Sequence, residues 1–310
     1  MTVVIAGSTG LVGSALTEVF TAADQEVIGL NRSVVDLLDS EATKRIIQKI
    51  KPTLVIDAAA KVGGIGANNT LPVEFLSDNL RIQSNLMEAA HASSVEKFVF
   101  LGSSCIYPRD CLQPIREEYL MTGPLEETNS AYAIAKIAGI ELVNSYRKEY
   151  GAKWISLMPT NLYGPRDNFD LQGSHVLPAF IRRFIDAVEK GVEKVTLWGS
   201  GASKREFLHV SDLARAVLKT SENYDSSMHL NIGTGSDLTI KELAGKVAAA
   251  AGFTGEIEWD TSKPDGTPQK VLDVSNIKAL GWEPTITLEA GIASTIAWYK
   301  EASARGEVRK

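Results

Sequence analysis

The chain has 310 residues, 44% of them hydrophobic and 23% charged, with a formal net charge of −6. This composition fits a globular protein of one large or two smaller domains, and the negative balance argues against a nucleic-acid surface. No apolar run approaches the roughly 18 residues of a membrane span, and two cysteines, Cys105 and Cys111, without metal-type spacing imply a reducing cytoplasm rather than a disulfide framework.

The first element is the apolar run Thr2-Val3-Val4-Ile5-Ala6, the pattern of a buried parallel strand. It begins two residues into the chain, which predicts no signal peptide. It runs into Gly7-Ser8-Thr9-Gly10-Leu11-Val12-Gly13, followed by a helical pattern to about residue 22. Glycines at this spacing allow a tight turn, close approach of backbone to a diphosphate, and close helix–strand packing. The N–H groups and positive dipole end of the following helix suit the same anion. The motif carries weight because it directly follows the first strand and opens a helix.

A second strand over 26–30 ends at Asn31-Arg32. Enzymes that bind the ribose 2′-hydroxyl of NAD carry an acidic residue at this place. A neutral residue followed by a basic one suits a 2′-phosphate, which points to NADP, with Asp36 near the adenine end. A third strand over 54–57 leads through Ala58-Ala59-Ala60 into a Gly- and Asn-rich loop over 61–69, then a helix over 73–92. The strand over 97–101 ends in Leu101-Gly102-Ser103-Ser104-Cys105. A serine at the C-terminal end of a parallel strand points into the ligand crevice of such a sheet. This strand–helix alternation predicts an α/β fold, a Rossmann-type doubly wound parallel sheet.

Tyr132 and Lys136 lie four apart on a helix predicted over 131–150, capped by Asn129 or Ser130, and so share one face. A lysine one turn from a phenol favours the phenolate and is expected to lower the Tyr132 pKa from roughly 10. Such a tyrosine can exchange a proton with a substrate oxygen. The helix is apolar almost all round, from Ala131, Ala133, Ile134 and Ala135 to Leu142 and Val143. One apolar stripe would suffice against its own sheet, so a partner subunit is expected on the other side. A strand over 154–159 leads into Pro159-Thr160-Asn161-Leu162-Tyr163-Gly164-Pro165.

The remaining chain predicts a smaller α/β substrate domain. Its elements are a helix over 176–190, a strand over 195–198, a helix over 239–251, a loop over 263–268 and a C-terminal helix over about 288–302. The expected division is 1–165 plus about 207–232 for the cofactor domain, and 166–206 with 233–310 for the substrate domain. Arg183 and Arg205 supply local positive charge for a substrate diphosphate.

The glycine turn, Ser103 with Tyr132-x-x-x-Lys136, and the segment from Pro159 to Pro165 resemble the extended short-chain dehydrogenase/reductases that act on nucleotide-diphosphate sugars. Longer stretches, including Lys61-Val62-Gly63-Gly64-Ile65, Ser174-His175-Val176, Arg205-Glu206-Phe207-Leu208-His209 and Lys263-Pro264-Asp265-Gly266-Thr267-Pro268, narrow this to the branch that handles a GDP-4-keto-6-deoxymannose. The resemblance runs from Val3 to about Tyr299. It implies 3,5-epimerisation of that small molecule, reduction at C4 with NADPH, and a homodimer paired through the helices over 73–92 and 131–150. It also implies that Tyr132 donates the C4 proton, that Lys136 holds the nicotinamide ribose, and that Ser103 bonds the C4 oxygen. Cys105 and His175 become the epimerisation pair, with acid and base unassigned between them. Gly7 to Gly13, Arg32, Asp36, Leu101, Gly102, Ser103, Ser104, Pro159, Thr160, Asn161, Leu162 and His175 would line the cofactor, and Arg183, Trp198, Arg205 and Asp265 the GDP-sugar. Two positions depart from the family pattern. Thr9 stands where a basic residue is familiar, leaving NADPH selectivity to Arg32, and Leu11 stands for a familiar methionine. A 4,6-dehydratase would carry Asp-Glu where Ser104-Cys105 stand, a 4-epimerase needs no Cys–His pair, and a non-catalytic dinucleotide sensor commonly loses the tyrosine or lysine.

Overall fold

The computed structural model describes every residue except Gln172, Pro264, Arg309 and Lys310, so Pro264 of the expected 263–268 loop lies outside the described residues. The first half alternates β1 (Thr2–Ala6), α1 (Leu11–Ala22), β2 (Glu26–Leu30), α2 (Ser40–Ile50), β3 (Leu54–Asp57), α3 (Ile65–Thr70), α4 (Pro72–Ala92), β4 (Lys97–Leu101), α5 (Ser130–Tyr150) and β5 (Ile155–Pro159). The second half holds β6 (Asn161–Tyr163), α6 (Val176–Lys190), β7 (Lys194–Trp198), β8 (Lys204–Arg205), β9 (Phe207–His209), α7 (Val210–Asn223) and β10 (Leu230–Ile232). It ends with β11 (Leu238–Thr239), α8 (Ile240–Ala251), β12 (Glu256–Asp260), β13 (Gln269–Lys270), α9 (Ser275–Ala279) and α10 (Leu288–Ala304).

Six strands make one parallel sheet in the order β10-β5-β4-β3-β1-β2. All of β3 and four of the five residues of β1 are buried, as expected of continuous apolar strands covered by helices on both faces. From β1 the chain steps one way to β2 and the other way to β3. The order therefore reverses between β1 and β3, and a crevice opens beyond their C-terminal ends. The fold is α/β with a Rossmann-like six-stranded sheet.

A separate hydrophobic cluster forms where α6, α8 and α10 pack, around Phe184, Leu243, Val247 and Ile292. The parallel pair β7–β12 and the three-stranded sheet β11-β8-β13 lie in this half of the chain. The capping box of Thr239 and Glu242 fixes the start of α8. Between these elements α7 packs on α1, and β10 joins the main sheet with Leu230 opposite Leu157.

Two local expectations fail. Residues 65–70 form the short α3, not loop, entered with the Asn68 amide donating to the Gly63 carbonyl at 2.8 Å and the Gly64 carbonyl at 3.1 Å. At the start of α5, Asn129 is the cap position but makes no side-chain capping bond. The helix is instead entered through a 3₁₀ turn over Glu127–Asn129, which satisfies the chain locally. α5 packs along α4, where the buried Gln83 amide donates to the Ala135 carbonyl at 2.8 Å. Ile134 is 48% exposed and Val73 76% exposed.

Candidate active site

The glycine turn is tight because the chain permits nothing larger. Gly7 has φ +77°, and a Cβ there would lie 2.7 Å from the Ala58 carbonyl oxygen. A Cβ on Gly13 would lie 2.1 Å from the Gly7 carbonyl oxygen. The turn is thus pressed between the exit of β3 and the first turn of α1. Gly10 is the N-cap of α1, makes no side-chain bond, and is followed by a first turn without acidic residues. A helix N-terminus of this kind offers its N–H groups and dipole to an anion, so Gly7, Ser8, Thr9, Gly10, Leu11, Val12 and Gly13 fit the diphosphate of a dinucleotide. Asn31 follows β2 and turns back on the chain, its Oδ1 accepting from Ser33 N at 2.9 Å. Arg32 beside it is exposed and takes part in none of the ion pairs formed among the described residues. Asp36 accepts from Leu38 N at 3.0 Å in a local turn.

The reactive groups come from four elements. β4 ends in Leu101-Gly102 and passes into Ser103, which caps a 3₁₀ turn over Ser104–Ile106 by accepting from Cys105 N at 3.2 Å. α5 brings Tyr132 and Lys136. Lys136 is buried and donates to the Leu101 carbonyl at 2.8 Å, with Nζ 4.8 Å from the centre of the Phe100 ring and 5.9 Å from that of Tyr132. Burial raises the Tyr132 pKa above the usual phenol range, Cys105 and Asp57 add to this, and the hydrogen bond with Ser103 opposes it. The expected lowering by Lys136 is therefore not found. The lysine is turned to the Leu101 carbonyl, and loss of hydration dominates the phenol. The outcome is a neutral tyrosine, which is the protonation state of a donor.

His175 caps α6 without a side-chain capping bond. Loss of hydration and then the Lys270 charge push its imidazole below its ordinary pKa. The ring is reached by solvent, so of the two causes the charge is the one an exposed ring retains. Lys270 also donates to Cys105 Sγ at 3.6 Å. A cation therefore stands beside the thiol and acts on the histidine, which suits two groups that trade protons with neighbouring carbons. Lys270 has no local signal in the sequence. It comes 165 residues after Cys105 and arrives through the pairing of β13 with β8, which sets it beside Arg205.

Thr160 and Asn161 follow β5, and both donate to the Glu206 carbonyl, at 3.4 and 2.8 Å. Leu162 pairs with Leu208 in the β6–β9 ladder. Glu206 is fully buried and its carboxylate accepts from the N–H groups of Thr234, Gly235 and Leu272, at 2.5, 2.7 and 2.9 Å. The Arg205-Glu206-Phe207 stretch thus combines a scaffold carboxylate with an arginine that pairs in register with Lys270. Burial pushes the Arg205 guanidinium below the usual arginine range, and the Asp265 carboxylate pulls it back. Asp265 spends its carboxylate on Ser200, accepting from its N–H and its hydroxyl at 2.7 Å each. Trp198 is 64% exposed, with Lys263 Nζ 5.7 Å from its ring centre. Arg183 donates to the Thr196 carbonyl at 3.5 Å, two residues from Trp198. Among the described residues there is no group of side chains able to hold a metal ion.

A glycine cradle after β1, a Ser–Tyr–Lys set at the ends of β4 and α5, and a parallel sheet with its order reversed at the crevice define a dinucleotide-binding enzyme of the epimerase/dehydratase kind. The chain belongs to the NAD dependent epimerase/dehydratase family, whose model matches residues 3–233. Over 291 residues, 94% of this chain and 93% of the relative, it is 50% identical to the GDP-L-fucose synthase of Sinorhizobium fredii. It is 48% identical over 309 residues to the GDP-L-fucose synthase of Escherichia coli, covering 96% of each chain. The crystal structure of a GDP-L-fucose synthetase from Naegleria fowleri bound to NADP superposes with a TM-score of 0.92 at 30% identity, over 100% of this chain and 96% of that one.

Proposed function

We propose that this chain makes GDP-L-fucose, inverting C3 and C5 of GDP-4-keto-6-deoxy-D-mannose and then reducing C4 with NADPH. One observation supports the reading: Cys105 donates its N–H to Ser103 Oγ at 3.2 Å while its Sγ lies 3.6 Å from Lys270 Nζ, so the Ser103–Tyr132–Lys136 set adjoins a second set of Cys105, Lys270 and His175. Reduction of the ketone needs only the first. The C4 ketone acidifies the protons on C3 and C5, and inverting those carbons needs the second. When bound, the cofactor supplies the hydride for C4. Tyr132 gives its proton to the C4 oxygen, Ser103 hydrogen-bonds that oxygen, and Lys136 anchors the nicotinamide ribose. Cys105 and His175 remove and return the protons on carbon. Leu101, Gly102, Ser104, Pro159, Thr160, Asn161 and Leu162 line the nicotinamide end, while Arg183, Trp198, Arg205 and Asp265 take the GDP-sugar.

The test is incubation with GDP-4-keto-6-deoxymannose and NADPH, with the product identified by NMR. GDP-L-fucose is expected. A sugar reduced at C4 with C3 and C5 unchanged, as from a plain C4 reductase, would overturn the proposal.

The division into a cofactor domain, 1–165 with about 207–232, and a substrate domain, 166–206 with 233–310, follows the two hydrophobic clusters in outline, but Leu272, Val274, Ile277 and Trp282 pack in the first cluster and Tyr163 and Phe207 in the second. Arg32, exposed at the end of β2, suits the 2′-phosphate. NADPH is therefore expected to exceed NADH in kcat/KM, and Arg32→Ala should cut the NADPH value by about tenfold or more while sparing NADH, since charge-assisted bonds contribute roughly 1.5–3 kcal/mol. Equal kcat/KM for both cofactors in the wild type would sink the assignment.

The almost all-round apolar sequence of α5 supports a homodimer through the paired α4 and α5, with Ile134 exposed on α5. Light scattering should return about twice the 33.5 kDa chain mass, and a stable monomer at micromolar concentration would refute it. No described helix is long and apolar enough to cross a membrane, and two free cysteines suit a cytoplasmic location.

A further inference from the structure

Asp57 is a carboxylate that none of these roles uses. It ends β3 after the apolar Leu54, Val55 and Ile56, and is 1% exposed. Oδ1 accepts from Ala59 N at 3.2 Å, while Oδ2 is buried and has no hydrogen-bond partner. A buried carboxylate so poorly satisfied needs a compensating charge. The sheet supplies one. Asp57 is the register partner of Phe100 on β4, and Lys136 rests on the Phe100 ring while donating to the carbonyl of the next residue, Leu101. On the other side β1 presents the apolar Ala6, and α4, which packs on β3, contributes only the neutral amides of Asn79 and Gln83 as buried polar groups. Among the described residues Lys136 is the one charge that acts on Asp57, and Tyr132 is a second titratable group that feels it.

We propose that Asp57 is the counter-ion that keeps Lys136 charged beneath the active site, a positioning residue for the reduction step. The proposal rests on the role given to Lys136 above. An ammonium stripped of water sheds its proton more readily, and burial does push Lys136 below the usual lysine range, with Asp57 pulling it back. Burial raises Asp57 to about 6 against the opposing pull of Lys136. Above that pH the carboxylate is formed and supports the cation; below it Asp57 takes a proton and the support is lost. On the alkaline side activity falls when Lys136 deprotonates, and removing the Asp57 charge brings that fall to lower pH. Any direct action of Asp57 on Tyr132 is a weaker effect in the same direction, because Asp57 is the last of the causes acting on that phenol.

Asp57→Asn separates charge from structure, since it keeps the shape and the acceptor for Ala59 N. In protein carrying ¹³C-labelled lysine, with Lys136→Met to assign the signal, Lys136 is expected to titrate about one to three pH units lower in Asp57→Asn than in the wild type. The alkaline limb of kcat/KM for NADPH oxidation should move down with it. Asp57→Leu, which removes charge and acceptor together, should shift the Lys136 signal in the same direction. A Lys136 signal that titrates at the wild-type pH in either variant overturns the proposal. The titration needs no sugar. A shifted signal in a protein that does not turn over GDP-4-keto-6-deoxymannose would refute the function and leave the counter-ion standing.

Discussion

Tyr132→Phe is expected to lower NADPH oxidation by about 10²–10⁴-fold, the range for loss of a positioned general acid, while deuterium exchange at C3 and C5 continues. The phenol is the group suited to the C4 oxygen because it is neutral. Burial, Cys105 and Asp57 all raise its pKa, with only the Ser103 hydrogen bond pulling down. A neutral phenol has a proton to give to an alkoxide as it forms. In the proposed function Lys136, held on the Leu101 carbonyl, anchors the ribose rather than ionising the tyrosine. Phenylalanine keeps the ring, including its edge contact with Phe75 at 6.4 Å between centres, so the substitution removes the hydroxyl and little else. The measurement is the loss of NADPH absorbance together with mass spectrometry of the sugar recovered from D₂O. If exchange at C3 and C5 collapsed along with reduction, Tyr132 would serve both steps and the division of labour would be wrong.

Much of this site is written locally. β1, β2 and β3 fall at the expected residues because buried parallel strands are unbroken apolar runs, and the glycine turn is legible because its spacing answers to backbone contact. Tyr132 and Lys136 are legible because helical periodicity puts them on one face. What is missed depends on distant packing. Lys270 reaches Cys105 only through the pairing of β13 with β8. The upward push on the Tyr132 pKa follows from loss of hydration, which a four-residue spacing does not report. Asp57 left a signal, an acidic residue closing an otherwise apolar strand, but its partner lies on another element. α3 forms in a Gly- and Asn-rich stretch because Asn68 side-chain bonds to Gly63 and Gly64 replace propensity.

Cys105→Ser is expected to cut deuterium incorporation at C3 and C5 by about 10²-fold or more, with NADPH oxidation surviving on a ketone that has not been epimerised. The C3 and C5 protons and the C4 oxygen occupy different places around the ring, so one phenol cannot serve all of them. In the proposed function Cys105 serves the carbons. Its N–H is held by Ser103 Oγ at 3.2 Å, which ties the thiol to the same turn as the reductive serine. Lys270 Nζ stands 3.6 Å from Sγ, beside the negative charge that sulfur carries before it takes a proton from carbon or after it gives one. Serine keeps the size and can still meet Lys270, but a hydroxyl is a far weaker acid than a thiol and gives up little anion for proton transfer. Lys270→Met tests the same chemistry from the other side and should slow exchange by about tenfold or more, because it removes a charge-assisted contact of roughly 1.5–3 kcal/mol. Exchange is read by mass spectrometry in D₂O, first without NADPH and then with it, so that epimerisation is seen apart from reduction. Wild-type exchange in Cys105→Ser would make Cys105 a packed side chain and pass the carbon chemistry to His175 alone.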